Sequence, residues 1–175
     1  MPTKKREEEK EGHDISCLYP DGSLYEGKAT IKKDALAADG TVNPLGATAA
    51  SQATSTKGAP AAPVPPDGAF MYTRHGQGRF VDASGCVYEG RWREGEPGGA
   101  GTLLFPSGCE YTGEFVDNRF HGAGKYVWPD GSFYEGQWEN NRMHGAGMYV
   151  DTTGKCWHGT FADGKGVDLR PEIVL

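Results

Sequence analysis

The chain has 175 residues and carries 18 Lys and Arg against 24 Asp and Glu, a net charge of −6; that size fits one compact domain or a small domain with tails. Leu, Ile, Val and Phe together number 27, about 15% of the chain and below the roughly 20% lower mark of ordinary globular proteins, which excludes a thick aliphatic core. Yet 20 of the 27 glycines lie between residues 76 and 166, and 17 of the 19 aromatics between 70 and 161. Simple disorder is poor in aromatics, so a segment rich in both points to internal repetition.

In chain order, residues 1–14 alternate short blocks of both charges and are expected to be a disordered tail. No apolar run there resembles a signal sequence, no stretch of about 18 apolar residues occurs anywhere, and Pro2 stands where N-myristoylation needs Gly. The expectation is a soluble, cytoplasmic protein. Residues 15–31 hold a partial unit, Tyr19-Pro20-Asp21-Gly22-Ser23-Leu24-Tyr25-Glu26-Gly27. Residues 32–68 form a low-complexity insertion rich in Ala, Pro and Thr, read as a solvated loop with a polyproline-prone end. Pro63-Val64-Pro65-Pro66 within it has no basic neighbour and reads as linker.

Residues 69–161 are a repeat array. Tyr-x-Gly recurs at Tyr88, Tyr111 and Tyr134, and as Trp157-x-Gly159, always 23 residues apart. Gly-x-Gly keeps the same step at Gly76, Gly99, Gly122 and Gly145, and so does a turn glycine at Gly85, Gly108, Gly131 and Gly154. The triplets Tyr88-x-Gly90-x-Trp92, Tyr111-x-Gly113-x-Phe115, Tyr134-x-Gly136-x-Trp138 and Trp157-x-Gly159-x-Phe161 have period two, so each triplet lies on one face of a strand. A second strand begins at each Gly-x-Gly, which makes every repeat a β-hairpin. The intervening Gly leaves room for a ring to lie against the backbone. Stacked hairpins give an all-β, single-layer, twisted antiparallel meander of about nine strands. The partial unit at Tyr25 lacks its own Gly-x-Gly until Gly76, so it is the first half of a unit split by the insertion. Residues 162–175 are read as a C-terminal tail, whose Ile173-Val174-Leu175 is either a ligand for a PDZ-type groove, packed on the last strand, or free.

These motifs resemble the MORN family, whose unit is Tyr-x-Gly-x-Trp/Phe, a polar loop, His-Gly-x-Gly and a turn glycine. His75-Gly76-Gln77-Gly78, His121-Gly122-Ala123-Gly124 and His144-Gly145-Ala146-Gly147 match it, and Gly98-Gly99-Ala100-Gly101 lacks the His. The resemblance implies a non-enzymatic scaffold of ciliary axonemes, other cytoskeletal assemblies or membrane junctions, holding a partner segment along the sheet.

No cofactor, metal or catalytic set is expected. Gly159-Thr160-Phe161-Ala162-Asp163-Gly164-Lys165-Gly166 mimics a phosphate loop but lacks the following Ser or Thr. His75, His121 and His144 recur at repeat spacing, where equivalent positions in adjacent units lie two strands apart, about 9.6 Å, too far to share a metal; Cys86 and Cys109 are likewise too far apart for a disulfide. With no second layer, an aromatic face marks an interaction site. The candidate partner-binding groove is Tyr88, Trp92, Tyr111, Phe115, Tyr134, Trp138, Trp157 and Phe161, receiving a helical or extended protein segment; these rings equally serve to stack on one another. A phospholipid tether is the alternative partner reading, disfavoured by charge, since residues 69–175 hold 10 Lys and Arg against 14 Asp and Glu. The same balance argues against nucleic acid. Self-association through the groove or an open edge strand is a further expectation.

Overall fold

The computed structural model describes residues 12–32, 63–64 and 72–172; the charged tail before residue 12, most of the insertion and Ile173-Val174-Leu175 lie outside them. Twelve strands form one sheet among the described residues. They are β1 (His13–Leu18), β2 (Leu24–Ile31), β3 (Pro63–Val64), β4 (Tyr72–Val81), β5 (Val87–Arg93), β6 (Glu96–Leu104), β7 (Glu110–Val116), β8 (Arg119–Val127), β9 (Phe133–Glu139), β10 (Arg142–Val150), β11 (Cys156–Ala162) and β12 (Lys165–Pro171). From β4 to β12 every strand pairs with the next in sequence, antiparallel throughout, and β2 and β1 continue the sheet beyond β4. Among the described residues, extensive contacts occur only between sheet neighbours, so the meander has one layer, as its hairpin periodicity requires.

Gly27 on β2 pairs with Gly78 on β4, and Tyr25 with Phe80, so the two halves separated by the insertion reassemble into one hairpin. The strand count exceeds nine at both ends. Lys165–Pro171, read from sequence as tail, pairs antiparallel with β11, β1 pairs with β2, and Pro63–Val64 runs parallel to β1 at Ser16 and Cys17.

Two different turns alternate along the array. On one side Gly22, Gly85, Gly108, Gly131 and Gly154 adopt φ of 81 to 91°, and each N–H donates to the carbonyl three residues back. Carboxylates finish several of these turns: Asp130 Oδ1 accepts from Ser132 N at 3.0 Å and Ser132 Oγ at 2.6 Å. Those bonds hold the Asp130 carboxyl below its ordinary pKa, since they favour the charged form. On the other side Glu94-Gly95, Asp117-Asn118, Asn140-Asn141 and Asp163-Gly164 have positive φ at both positions, the two-residue hairpin geometry whose twist matches the strands. These turns also latch units together, because Gly95, Asn118, Asn141 and Gly164 N–H donate to the carbonyls of Arg74, Pro97, Phe120 and Met143.

Candidate protein-interaction surface

The geometry begins at the glycines. In register, Gly27, Gly78, Gly90, Gly101, Gly113, Gly124, Gly136, Gly147 and Gly159 form one continuous rung across the sheet. It ends opposite Leu169 on β12. A Cβ on Gly124 would lie 2.7 Å from Cε2 and Cζ of Tyr111, and one on Gly101 2.8 Å from the same atoms of Tyr88. The tyrosine rings therefore occupy the space that side chains would fill.

Each ring is then locked by its polar end. Tyr25, Tyr88, Tyr111 and Tyr134 donate their hydroxyls to the carbonyls of Lys28, Arg91, Glu114 and Gln137 at 2.6, 2.8, 3.0 and 2.9 Å. Trp92 and Trp138 donate Nε1–H to the Gly78 and Gly124 carbonyls at 3.1 and 3.0 Å. Burial pushes the Tyr88 phenol up to about 12, because the phenolate would lose its water.

Edge-on contacts join the rings into an unbroken relay. It runs Tyr25, Trp92, Tyr88, Phe115, Tyr111, Trp138, Tyr134, Phe161, with centroids 4.6 to 5.3 Å apart, the arrangement favoured by the ring quadrupole. At the first unit Arg74 enters the relay, its Cζ 4.4 Å from the Trp92 centroid and 4.8 Å from that of Phe80, a cation–π contact. Arg74, Phe120 and Met143 fall 46 and 23 residues apart, whole multiples of the repeat. At the second of these places Phe120 stacks flat on Tyr111 at 3.7 Å.

Seven of the eight rings expected in the groove are consequently buried: Tyr88 3%, Trp92 2%, Tyr111 0%, Phe115 3%, Tyr134 0%, Trp138 7% and Phe161 3% exposed. They form a floor, because the glycine rung lets them sink onto the backbone and neighbouring rings cover them. Trp157 alone of the eight is half-buried, with Lys155 Nζ 4.2 Å from its ring centre. What stays accessible above the floor is a second set, Leu103, Phe105, Tyr126, Trp128 and Tyr149, all half-buried. Phe105, Tyr126, Trp128 and Tyr149 touch in sequence at 6.2, 5.0 and 5.9 Å. Reading the sequence missed this lip, although Phe105-Pro106 and Trp128-Pro129 stand 23 residues apart just before their turns.

The opposite face carries small and polar side chains along its middle and Val87 and Leu104 toward the glycine turns. Two shallow, contiguous troughs, about 740 and 860 Å³, share Thr112 and Ala123 and are lined by residues such as Ala100, Thr102, Lys125, Glu135, Gln137 and Met148. All four cysteines are free thiols.

The MORN-repeat pattern matches residues 67–87, 88–110, 111–133 and 134–156, half of the chain and the same 23-residue frame that the glycine rung follows. The chain belongs to the MORN-repeat family. MORN repeats commonly serve as scaffold modules that bind proteins or membrane lipids, and the second, third and fourth matched units here each contribute one ring pair to the relay. No curated protein matches the chain.

Proposed function

We propose that this MORN-repeat protein is a non-catalytic scaffold that binds a helical or extended segment of a partner protein, in a ciliary or flagellar axoneme or another cytoskeletal assembly. The observation that carries the binding reading is the half-buried lip of Phe105, Tyr126, Trp128, Tyr149 and Trp157 above a floor of satisfied, buried rings. Rigid aromatics of this kind give large contact area at small entropy cost. The axonemal setting rests on the family resemblance, sharpened by a split first unit, regular units and a degenerate last unit, an order similar to MORN repeat-containing protein 2. A lipid tether is the weaker reading, since the balance of 10 basic to 14 acidic residues over 69–175 offers no basic cluster to anionic headgroups.

The test is proximity labelling of the tagged chain in ciliated cells, beside a variant with Trp128, Tyr149 and Trp157 changed to Ala and verified as folded. Axonemal or cytoskeletal neighbours that disappear in the folded variant are the expected result. Membrane neighbours retained by both proteins would overturn it.

A further inference from the structure

The face opposite the rings carries a charge order with twofold symmetry. Along β4 to β9 its central row reads Arg79, Glu89, Thr102, Thr112, Lys125, Glu135, each paired in register with the next. Arg79, Glu89, Thr112 and Glu135 are exposed, and Lys125 and Glu135 retain side-chain exposures of 42% and 56% while lying 3.7 Å apart. Reversed and laid on itself about an axis between the two threonines, the row sets plus against minus at both outer positions.

We propose that a second copy of this chain packs on this face, the two sheets related by a twofold axis parallel to the strands and passing between β6 and β7. A twofold interface brings the same patch together from both copies, so residue i meets j and j meets i. Thr102 then faces Thr112 of the second copy, Glu89 faces its Lys125, and Arg79 faces its Glu135, each pair occurring twice. Toward the glycine-turn side, Val81 and Val87 lie one step along their strands from Arg79 and Glu89 on the same face, as Val127 and Phe133 do from Lys125 and Glu135. The same rotation therefore sets Val87 against Val127 of the second copy and Val81 against its Phe133.

Neighbouring registers are opposed. Moving the axis half a strand spacing onto β6 places Arg79 against Lys125 of the second copy, and moving it onto β7 places Glu89 against its Glu135. Like charges at those places reject the slipped pairings. The size is adequate: six strands at about 4.8 Å by three rows over about 20 Å cover about 600 Å² per copy. The total of about 1,200 Å² stands at the lower end of specific interfaces. Twisted sheets pack aligned at about 30°, which concentrates contact near the axis, where these pairs lie at about 7 and 12 Å from it. The ring face and its aromatic lip stay open for the partner proposed above, but the dimer does not depend on that reading.

Sedimentation velocity on the full chain at micromolar to submillimolar concentration tests this. Wild type is expected at twice the chain mass of 18.8 kDa. Arg79→Glu alone and Glu135→Arg alone are each expected at the monomer mass, because both twofold-related pairs become repulsive. Mixed one to one, the two variants are expected to recover the dimer, since every contact between them is again complementary. That recovery also proves both variants folded. A monomeric wild type would overturn the proposal, and so would single variants that dimerise as well as wild type, the behaviour of edge-strand association.

Discussion

A missing Cβ and a buried ring act as one device at the glycine rung, and the turn glycines obey a different rule. Gly124 has no positive φ, but a Cβ there would meet the Tyr111 ring carbons at 2.7 Å, and that ring is 0% exposed and tied to Glu114 O. Gly131 has φ of 85° and open space around its would-be Cβ. Gly124→Ala is therefore expected to cost about 2–3 kcal/mol through overpacking, whereas Gly131→Ala costs about 1–2 kcal/mol for the left-handed backbone alone. Urea midpoints of the two variants check the order, and a larger loss at Gly131 would contradict the cradle. The cradle was legible in the sequence, because Tyr-x-Gly on one strand and Gly-x-Gly on the next keep a shared period of 23. Its consequence for exposure was not legible. Whether an aromatic stripe in a one-layer sheet faces solvent or sinks onto the backbone depends on ring cover such as Phe120 on Tyr111, which joins residues from different strands.

At the scale of the hairpin, the polar loops expected between strands are two-residue turns that also fasten one unit to the next. Asn141 shows both tasks: its φ is 67°, its N–H donates to Phe120 O at 3.1 Å, and its Oδ1 accepts from Phe120 N at 2.8 Å. Phe120 in turn caps Tyr111. Asn141→Gly keeps the left-handed backbone and removes only the side-chain bond, so a loss of about 0.5–1.5 kcal/mol is expected. Asn141→Ala adds the backbone penalty and is expected to lose about 1–2 kcal/mol more. Thermal or urea melts of the pair measure the difference, and equal losses would show that the turn conformation carries no strain. The hairpins of the regular units could be read from period alone. The strand Lys165–Pro171 could not, because it has no aromatic triplet and its Gly164-Lys165-Gly166 falls outside the 23-residue frame, where Asp168 and Arg170 stand instead. Its pairing comes from Asp163-Gly164, the same positive-φ turn that joins the earlier strands.

Across the whole molecule, cohesion passes from strand to strand, since extensive contacts among the described residues join only sheet neighbours and the ring relay runs from one unit to the next, with Phe120 bridging Phe115 and Trp138 beside Tyr111. A linear array of this type owes its stability to the sum of unit and neighbour terms, and its ends open first. The relay stops at Phe161, and beyond it β12 offers the core only Leu169, with Val167 63% exposed. At the other end the first unit is closed across an insertion of about forty residues, which adds loop-closure entropy to its formation. Amide hydrogen exchange read by mass spectrometry is therefore expected to be slowest in β6 to β9, faster in β2 and β4, and fastest in β12. Uniform protection from β1 to β12 would mean that the sheet opens as one cooperative unit, and the ring relay would then couple distant strands more tightly than neighbour contacts alone allow. A graded profile would instead locate the stable centre on β6 to β9, four of the six strands whose outer row carries the twofold charge order. The proposed dimer would then be centred on the part of the sheet that opens least, with Arg79 on β4 at its more labile margin.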